Sequence, residues 1–156
     1  MEICLLLWVV RRDGNMTENK KEQKVVFATG KRKTAVARAR IKPGIGRVEI
    51  NQIPLDLWQP EYARIKIREP LMLVDELSRN VDIKVNVSHG GISSQADAIR
   101  QAIAKGMVEF FKDPKLKNIY LDYDRSLLVY DPRRTEPHKP SRSRKGARRH
   151  KQRSKR

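Results

Sequence analysis

From Arg133 to the terminal Arg156 the chain carries twelve lysines or arginines and one acid, Glu136, a net +11 of the whole chain's +17. The stretch holds no aromatic residue and one small apolar one, Ala147, and it is interrupted by Pro137, Pro140 and Gly146. Such a segment has too little apolar surface to offset the entropy of ordering it. It is therefore expected to stay disordered until a polyanion neutralises it. Any core the chain builds must lie upstream of it.

What remains is one domain's worth of chain. With 38% hydrophobic residues among 156, a small core spread over roughly a hundred residues is within reach. A net charge of this size destabilises a compact chain unless a polyanion neutralises it. Nucleic acid is the expected partner, and an anionic membrane surface is the main rival. The one cysteine, Cys4, excludes an internal disulfide framework and a Cys-rich zinc site, which fits a reducing compartment. No apolar run approaches the roughly 18 residues that a membrane span needs.

The first residues read differently from the rest. Ile3 to Val10 is an eight-residue apolar run preceded by Glu2 and followed by Arg11 and Arg12. A secretory signal has its positive charge before the apolar run, so the order is wrong for one. Met16 opens a hydrophilic leader, and residues 1–15 are expected to be an upstream extension with the mature protein beginning near Met16. The expected division is 1–23 as an extension outside the fold, 24–130 as a globular RNA-binding domain, and 131–156 as an extended basic tail.

Within the body, Val25 to Thr29 reads as a short strand. From Thr34 to Ile41 the sequence alternates, with Ala35, Ala37, Ala39 and Ile41 on one face and Thr34, Val36, Arg38 and Arg40 on the other. Lys42 to Gly46 supplies turn chemistry and Arg47 to Asn51 resumes as a strand, which predicts a hairpin. Two short helices, Pro60 to Arg68 and Pro70 to Leu77, each have a proline near the first turn. Val81, Ile83, Val85 and Val87 alternate as the core face of another strand, ended by Gly90 and Gly91. Ile92, Ala96, Ile99, Ile103, Met107 and Phe110 form one stripe at helical spacing. Ser93 or Ser94 is the expected cap, and Asp113-Pro114 the stop. A last short helix or irregular segment runs from Lys115 to Leu128. The order predicts an α+β fold: a two-layer α/β sandwich, a small mixed sheet with helices on one face.

Few residues invite catalysis. In Gly30-Lys31-Arg32-Lys33-Thr34 no glycine precedes Gly30 at the spacing of a nucleotide-phosphate loop, and Arg32 rather than Ser or Thr follows Lys31. It reads instead as a cluster of cations beside a glycine, suited to an RNA backbone. Arg38 and Arg40 share one strand face, and Lys31 to Lys42 contains cations and no acid. Gly44 and Gly46 are turn residues, since no third glycine and helix follow. His89, His138 and His150 lie at no metal-ligand spacing with an acid, and His89 reads as a loop or RNA contact. Asp122, Asp124 and Asp131 allow a metal-dependent nuclease, but each has Arg or Lys close in sequence and ion pairing is the simpler reading. A free DNA- or RNA-binding regulator is the other alternative.

Four segments occur together and in order: Ala28 to Arg38 (Ala-Thr-Gly-Lys-Arg-Lys-Thr-Ala-Val-Ala-Arg), the Gly-Gly-x-x-x-Gln-Ala-x-Ala-Ile-Arg run from Gly90 to Arg100, Asp131-Pro132-Arg133-Arg134, and the terminal Ser154-Lys155-Arg156. With them the chain resembles the universal small-subunit ribosomal protein S-nine family, in its archaeal and eukaryotic form, over about residues 25–156. The resemblance implies a left-handed crossover in the sheet, against the usual right-handed rule, and a cytoplasmic, non-enzymatic role without cofactor or metal. It implies a place in the head of the small subunit beside neighbouring head proteins, bound to small-subunit rRNA. The rRNA contacts it implies are Lys31, Arg32, Lys33, Arg38, Arg40, Lys42, Arg133, Arg134, Lys139, Arg142, Arg144, Lys145, Arg148 and Arg149. The tail tip, Ser154, Lys155 and Arg156, is implied to contact the anticodon stem-loop of peptidyl-site tRNA. Residues 1–15 have no counterpart in the family pattern.

Overall fold

The computed structural model describes residues 24–140 and Gly146; the expectations for residues 1–23 and for most of the basic tail lie outside it. The chain begins with β1 (Val26–Arg32), which turns through Lys33 and Thr34 into β2 (Ala35–Pro43). Two short strands follow, β3 (Val48–Ile50) and β4 (Ile53–Pro54), then helices α1 (Glu61–Met72) and α2 (Asp75–Ser78). Strand β5 (Val81–Ser88), the long helix α3 (Ile92–Phe111) and α4 (Pro114–Tyr123) complete the body. The five strands form one mixed sheet in the order β1-β2-β5-β3-β4, an α+β arrangement as expected.

The alternations read from the sequence place the core. Ala35, Ala37, Ala39 and Ile41 are buried, as are Val81, Ile83, Val85 and Val87. These two rows line one side of the antiparallel β2–β5 pair, and α3 covers them. On α3 itself, Ala96, Ile99, Ile103, Met107 and Phe110 are buried, but Ile92 at the first turn is 48% exposed because the helix projects past the sheet there. Helix α1 packs on α3, and the Tyr120 hydroxyl of α4 donates 2.8 Å to the Pro70 carbonyl, tying the outer helices together. Burial raises the Tyr120 hydroxyl well above its ordinary pKa of 10.0.

Three local expectations are corrected. The first concerns pairing: β2 and β3 are not hairpin partners, because β5 lies between them, antiparallel to β2 and parallel to β3. The hairpins of this sheet are β1–β2, closed by Lys33-Thr34 with Arg32 opposite Ala35, and the short β3–β4. Lys42 to Gly46 is instead an arch over the start of β5. The Gly44 amide donates 3.1 Å to the Asn80 carbonyl, and the Asp82 carboxylate accepts from the Ile45 and Arg47 amides at 3.0 and 3.2 Å. A Cβ at Gly44 would lie 2.1 Å from the Asp82 carboxyl carbon, so any other residue would displace the carboxylate that holds the arch. Burial pushes the Asp82 pKa up, but those two amides and Lys42 outweigh it and the net direction is down.

The second correction is that Pro70 does not begin a helix; α1 runs through it to Met72, and only the single turn α2 follows. Pro70 sits in the last turn, where its missing N–H removes one backbone bond, to the Lys66 carbonyl, and its ring is buried. The third is that neither Ser93 nor Ser94 caps α3. Gly91 occupies the cap position, the Gln95 amide donates 2.9 Å to the Gly91 carbonyl, and the Gln95 side chain donates 3.0 Å to the His89 carbonyl.

Candidate nucleic-acid interface

Because side chains alternate across a strand, the face of the sheet opposite α3 is set by the residues between the core positions. Register aligns them in rows: Thr29, Arg38 and Asn86 in one, Phe27, Arg40, Lys84 and Glu49 in the next. Phe27, Thr29, Arg38, Arg40, Lys84 and Asn86 are all exposed. Lys84 pairs with Glu49 at 2.8 Å, while the Arg40 guanidinium lies over the Phe27 ring, 6.0 Å from its centroid. Among the described residues no carboxylate lies within ion-pair distance of Lys31, Lys33, Arg38 or Arg40. This face therefore carries positive charge that the described residues leave without an internal carboxylate.

The cluster Lys31-Arg32-Lys33 does not act as a unit. Lys31 points with Phe27 and Thr29 to the open face, Lys33 occupies the hairpin turn, and Arg32 points to the helix side. There Arg32 reaches Asp131 at 2.9 Å and Asp97 of α3 at 3.8 Å. Asp97 also receives Lys66 of α1 at 2.7 Å. Asp131 in turn accepts the Arg133 guanidinium at 2.7 Å and its amide at 2.9 Å. Hydrogen bonds from the Arg133 side chain and amide hold the Asp131 carboxyl at about 2. Two of the sequence motifs thus meet: Arg32 latches the root of the tail, at Asp131, onto the body. Lys42 also has an internal partner, Asp82 at 3.5 Å.

Of the other tail residues singled out, Arg134 donates 3.2 Å to the Tyr130 hydroxyl and Lys139 is exposed. Arg142, Arg144, Lys145, Arg148, Arg149, Ser154, Lys155 and Arg156 lie outside the described residues. Residues 131–139 form neither helix nor strand.

Gly30 has a different task from shaping a cation cluster. It is buried where β1 meets α3, and a Cβ there would lie 2.0 Å from the Ala98 carbonyl oxygen and 2.7 Å from the Ala102 nitrogen. Helix and strand approach so closely that hydrogen is the only side chain that fits. The Gly90–Arg100 run is equally structural. Gln95 ties the helix start, Ala96, Ala98 and Ile99 pack in the core, and Arg100 is an ion-pair hub. Arg100 donates to Glu69 at 2.6 Å, Asp124 at 3.0 Å and the Ser126 hydroxyl at 2.9 Å.

The acidic cluster is resolved by the same contacts. Asp124 faces Arg100 and caps Ser126, Asp131 faces Arg32 and Arg133, and the three aspartates share no site. Among the described residues no group of His, Cys, Asp and Glu is arranged to hold a metal ion, and no helix is long and apolar enough to cross a membrane. Sequence reading missed Phe27, Lys84 and Asn86. Their signal was the period-2 alternation of β1 and β5, which puts each on the face away from its buried chain neighbours.

The family model described as ribosomal protein S9/S16 matches residues 30–156, from Gly30 of the first motif to the last residue. The chain belongs to that family. Small ribosomal subunit protein uS9 of Pyrobaculum aerophilum is 59% identical over 117 residues, covering 75% of this chain and 82% of the relative. The uS9 of Desulfurococcus amylolyticus is 55% identical over 116 residues, 74% and 83% of the two chains. The uS9 of Methanococcus maripaludis is 51% identical over 131 residues, 84% of this chain and 98% of the relative. As a member of the S9/S16 family the chain is a constituent of the small ribosomal subunit in the cytoplasm. It binds rRNA, works beside other ribosomal proteins in translation, and is a structural protein rather than an enzyme.

Proposed function

We propose that the open face of β1, β2 and β5 rests on small-subunit rRNA in the head of the subunit. On this reading the basic segment from Asp131 onward runs inward and brings Ser154, Lys155 and Arg156 to the anticodon stem-loop of peptidyl-site tRNA. The observation that carries the first part is the outward placement of Arg38 and Arg40 on a strand whose alternate residues are fully buried. A phosphate backbone is the ligand such a face attracts, because each neutralised phosphate releases counterions. The latch at Asp131 supports the second part, since it fixes where the tail leaves the body.

Replacing Arg38 and Arg40 by alanine tests the face. Binding to small-subunit rRNA should weaken, and its logarithmic salt dependence should flatten by about two, one per lost phosphate contact. Thermal stability should move by less than about 0.5 kcal/mol, as for exposed positions generally. An unchanged slope with folded protein rejects the assignment.

Deleting Ser154 to Arg156 tests the tip. Twelve cations supply the tail's bulk attraction to RNA, so assembly should survive the loss of two. A charge-assisted phosphate contact contributes on the order of 1.5–3 kcal/mol where solvent is restricted. Peptidyl-site tRNA should therefore leave programmed mutant subunits roughly ten times faster or more. Normal off-rates on fully assembled mutant subunits would assign the tip to rRNA anchoring alone.

A further inference from the structure

We infer that Phe27 is a stacking platform for one unpaired base of the rRNA, so that the sheet face holds a nucleotide as well as a backbone. The inference rests on the proposed docking of this face on rRNA and names what the face selects.

Phe27 is 71% exposed on the open side of β1. A single exposed apolar side chain is ordinary on a protein surface; its surroundings set this one apart. Phe27 borders a depression of about 500 Å³ lined also by Arg38, Arg40, Asn86, Gln52 and the Lys84–Glu49 ion pair. Arg40 is its cross-strand partner in register, with the guanidinium 6.0 Å from the ring centroid. Lys84 neutralises the Glu49 carboxylate, and the aromatic face with the remaining cations and side-chain amides matches the chemistry of a nucleotide. The ring offers its face to a base, Arg38 and Arg40 offer charge to the flanking phosphates, and the amides of Asn86 and Gln52 offer donors and acceptors to a base edge. An apolar protein partner is the poorer fit, because it would bury Arg38 and Arg40 with no described carboxylate to meet them. A paired stem is also a poor fit: its bases are stacked on each other and present no free face to the ring.

Strand geometry makes the platform rigid. Ala28 is buried directly after Phe27, and β1 is bonded to β2 along its whole length, so the ring's base is fixed to the core. A preset aromatic surface loses little freedom on binding, which favours stacking over a contact made by a long flexible chain.

The test uses the full chain, small-subunit rRNA and a salt titration with Phe27→Ala, Phe27→Leu and Phe27→Trp. Loss of one stacked base should weaken binding by about 10- to 100-fold in Phe27→Ala. The salt slope should stay that of the parent, because no charge is removed. Phe27→Trp should restore affinity while Phe27→Leu should not, and one rRNA nucleotide protected from a single-strand-specific base reagent by the parent should become reactive with Phe27→Ala. Leucine binding as well as phenylalanine, or alanine binding as well as either, overturns the stacking assignment. The doubly substituted Arg38→Ala, Arg40→Ala chain separates the two levels. A flattened slope there with a silent Phe27→Ala rejects only the platform, whereas a normal slope rejects the docking face on which it rests.

Discussion

Gly30→Ala should lower the melting temperature by about 15 °C, without touching a single charge. The added methyl would lie 2.0 Å from the Ala98 carbonyl oxygen, a backbone atom that cannot swing aside as a side-chain tip can. Overpacking of a closely fitted contact typically costs about 1–3 kcal/mol. A backbone-on-backbone clash belongs at the upper end, and about 3 kcal/mol in a domain near a hundred residues moves Tm by roughly 12–24 °C. Gly91→Ala is the milder control: a Cβ there meets nothing within 4 Å and the residue has φ of −96°, so only alanine's weaker capping counts, about 1 kcal/mol or less. Calorimetry on the two variants decides whether the glycine in the first motif serves packing. Equal melting temperatures would mean that α3 shifts away from β1 at no cost.

Arg100→Met should be nearly as damaging. The Arg100 side chain is 13% exposed and joins Glu69 of α1 to Asp124 and Ser126 beyond α4, so its loss leaves two carboxylates without their shared cation. Removing one member of a buried pair costs about 3–5 kcal/mol. Because the Asp124 side chain is 36% exposed, solvent screens part of that, and about 2–3 kcal/mol is expected here. Arg100→Lys should fall between, since an ammonium keeps the charge but lacks the guanidinium's planar fork. Acid unfolding carries the signature. Burial pushes the Asp124 carboxyl up, but bonds from Ser126 and Arg100 hold it below its usual 3.8. A carboxyl whose folded pKa is depressed stabilises fully above its unfolded pKa and loses that contribution as pH falls through the folded value. The parent should thus lose stability below about pH 4. Arg100→Met should lose less over the same range, having less of that contribution to lose.

The elements that proved legible in the sequence are those whose signal is local. Alternation from Ala35 to Ile41 and from Val81 to Val87 placed two strands and their buried faces, and the stripe from Ala96 to Phe110 placed the long helix. What the sequence hid is non-local. Turn chemistry at Lys42 to Gly46 says that the chain changes direction, but not that it arches over a strand made later. The same limit applies to the interface. Lys31, Arg32 and Lys33 are adjacent in sequence, yet one faces the open sheet, one the helices and one the turn, and the partner that claims Arg32 lies at the tail's root. Ion pairing of Asp131 was foreseeable from Arg133 two residues on, whereas the Asp124–Arg100 contact required knowing that the chain beyond α4 returns to α3.

The strand order also dictates when the protein learns to discriminate. β1 and β2 leave the ribosome first and carry Arg38 and Arg40 with them, but the second edge of β2 has no partner until Val81 to Ser88 have been made. Only when β5 wedges between β2 and β3 do Phe27, Arg40, Lys84 and Glu49 fall into one row. An unfolded chain has the same charge and none of that spacing. Its attraction to RNA is of the general, counterion-driven kind that any polyanion satisfies. On the proposed docking, attraction is thus present from the second strand onward, and selectivity arrives only with the fifth.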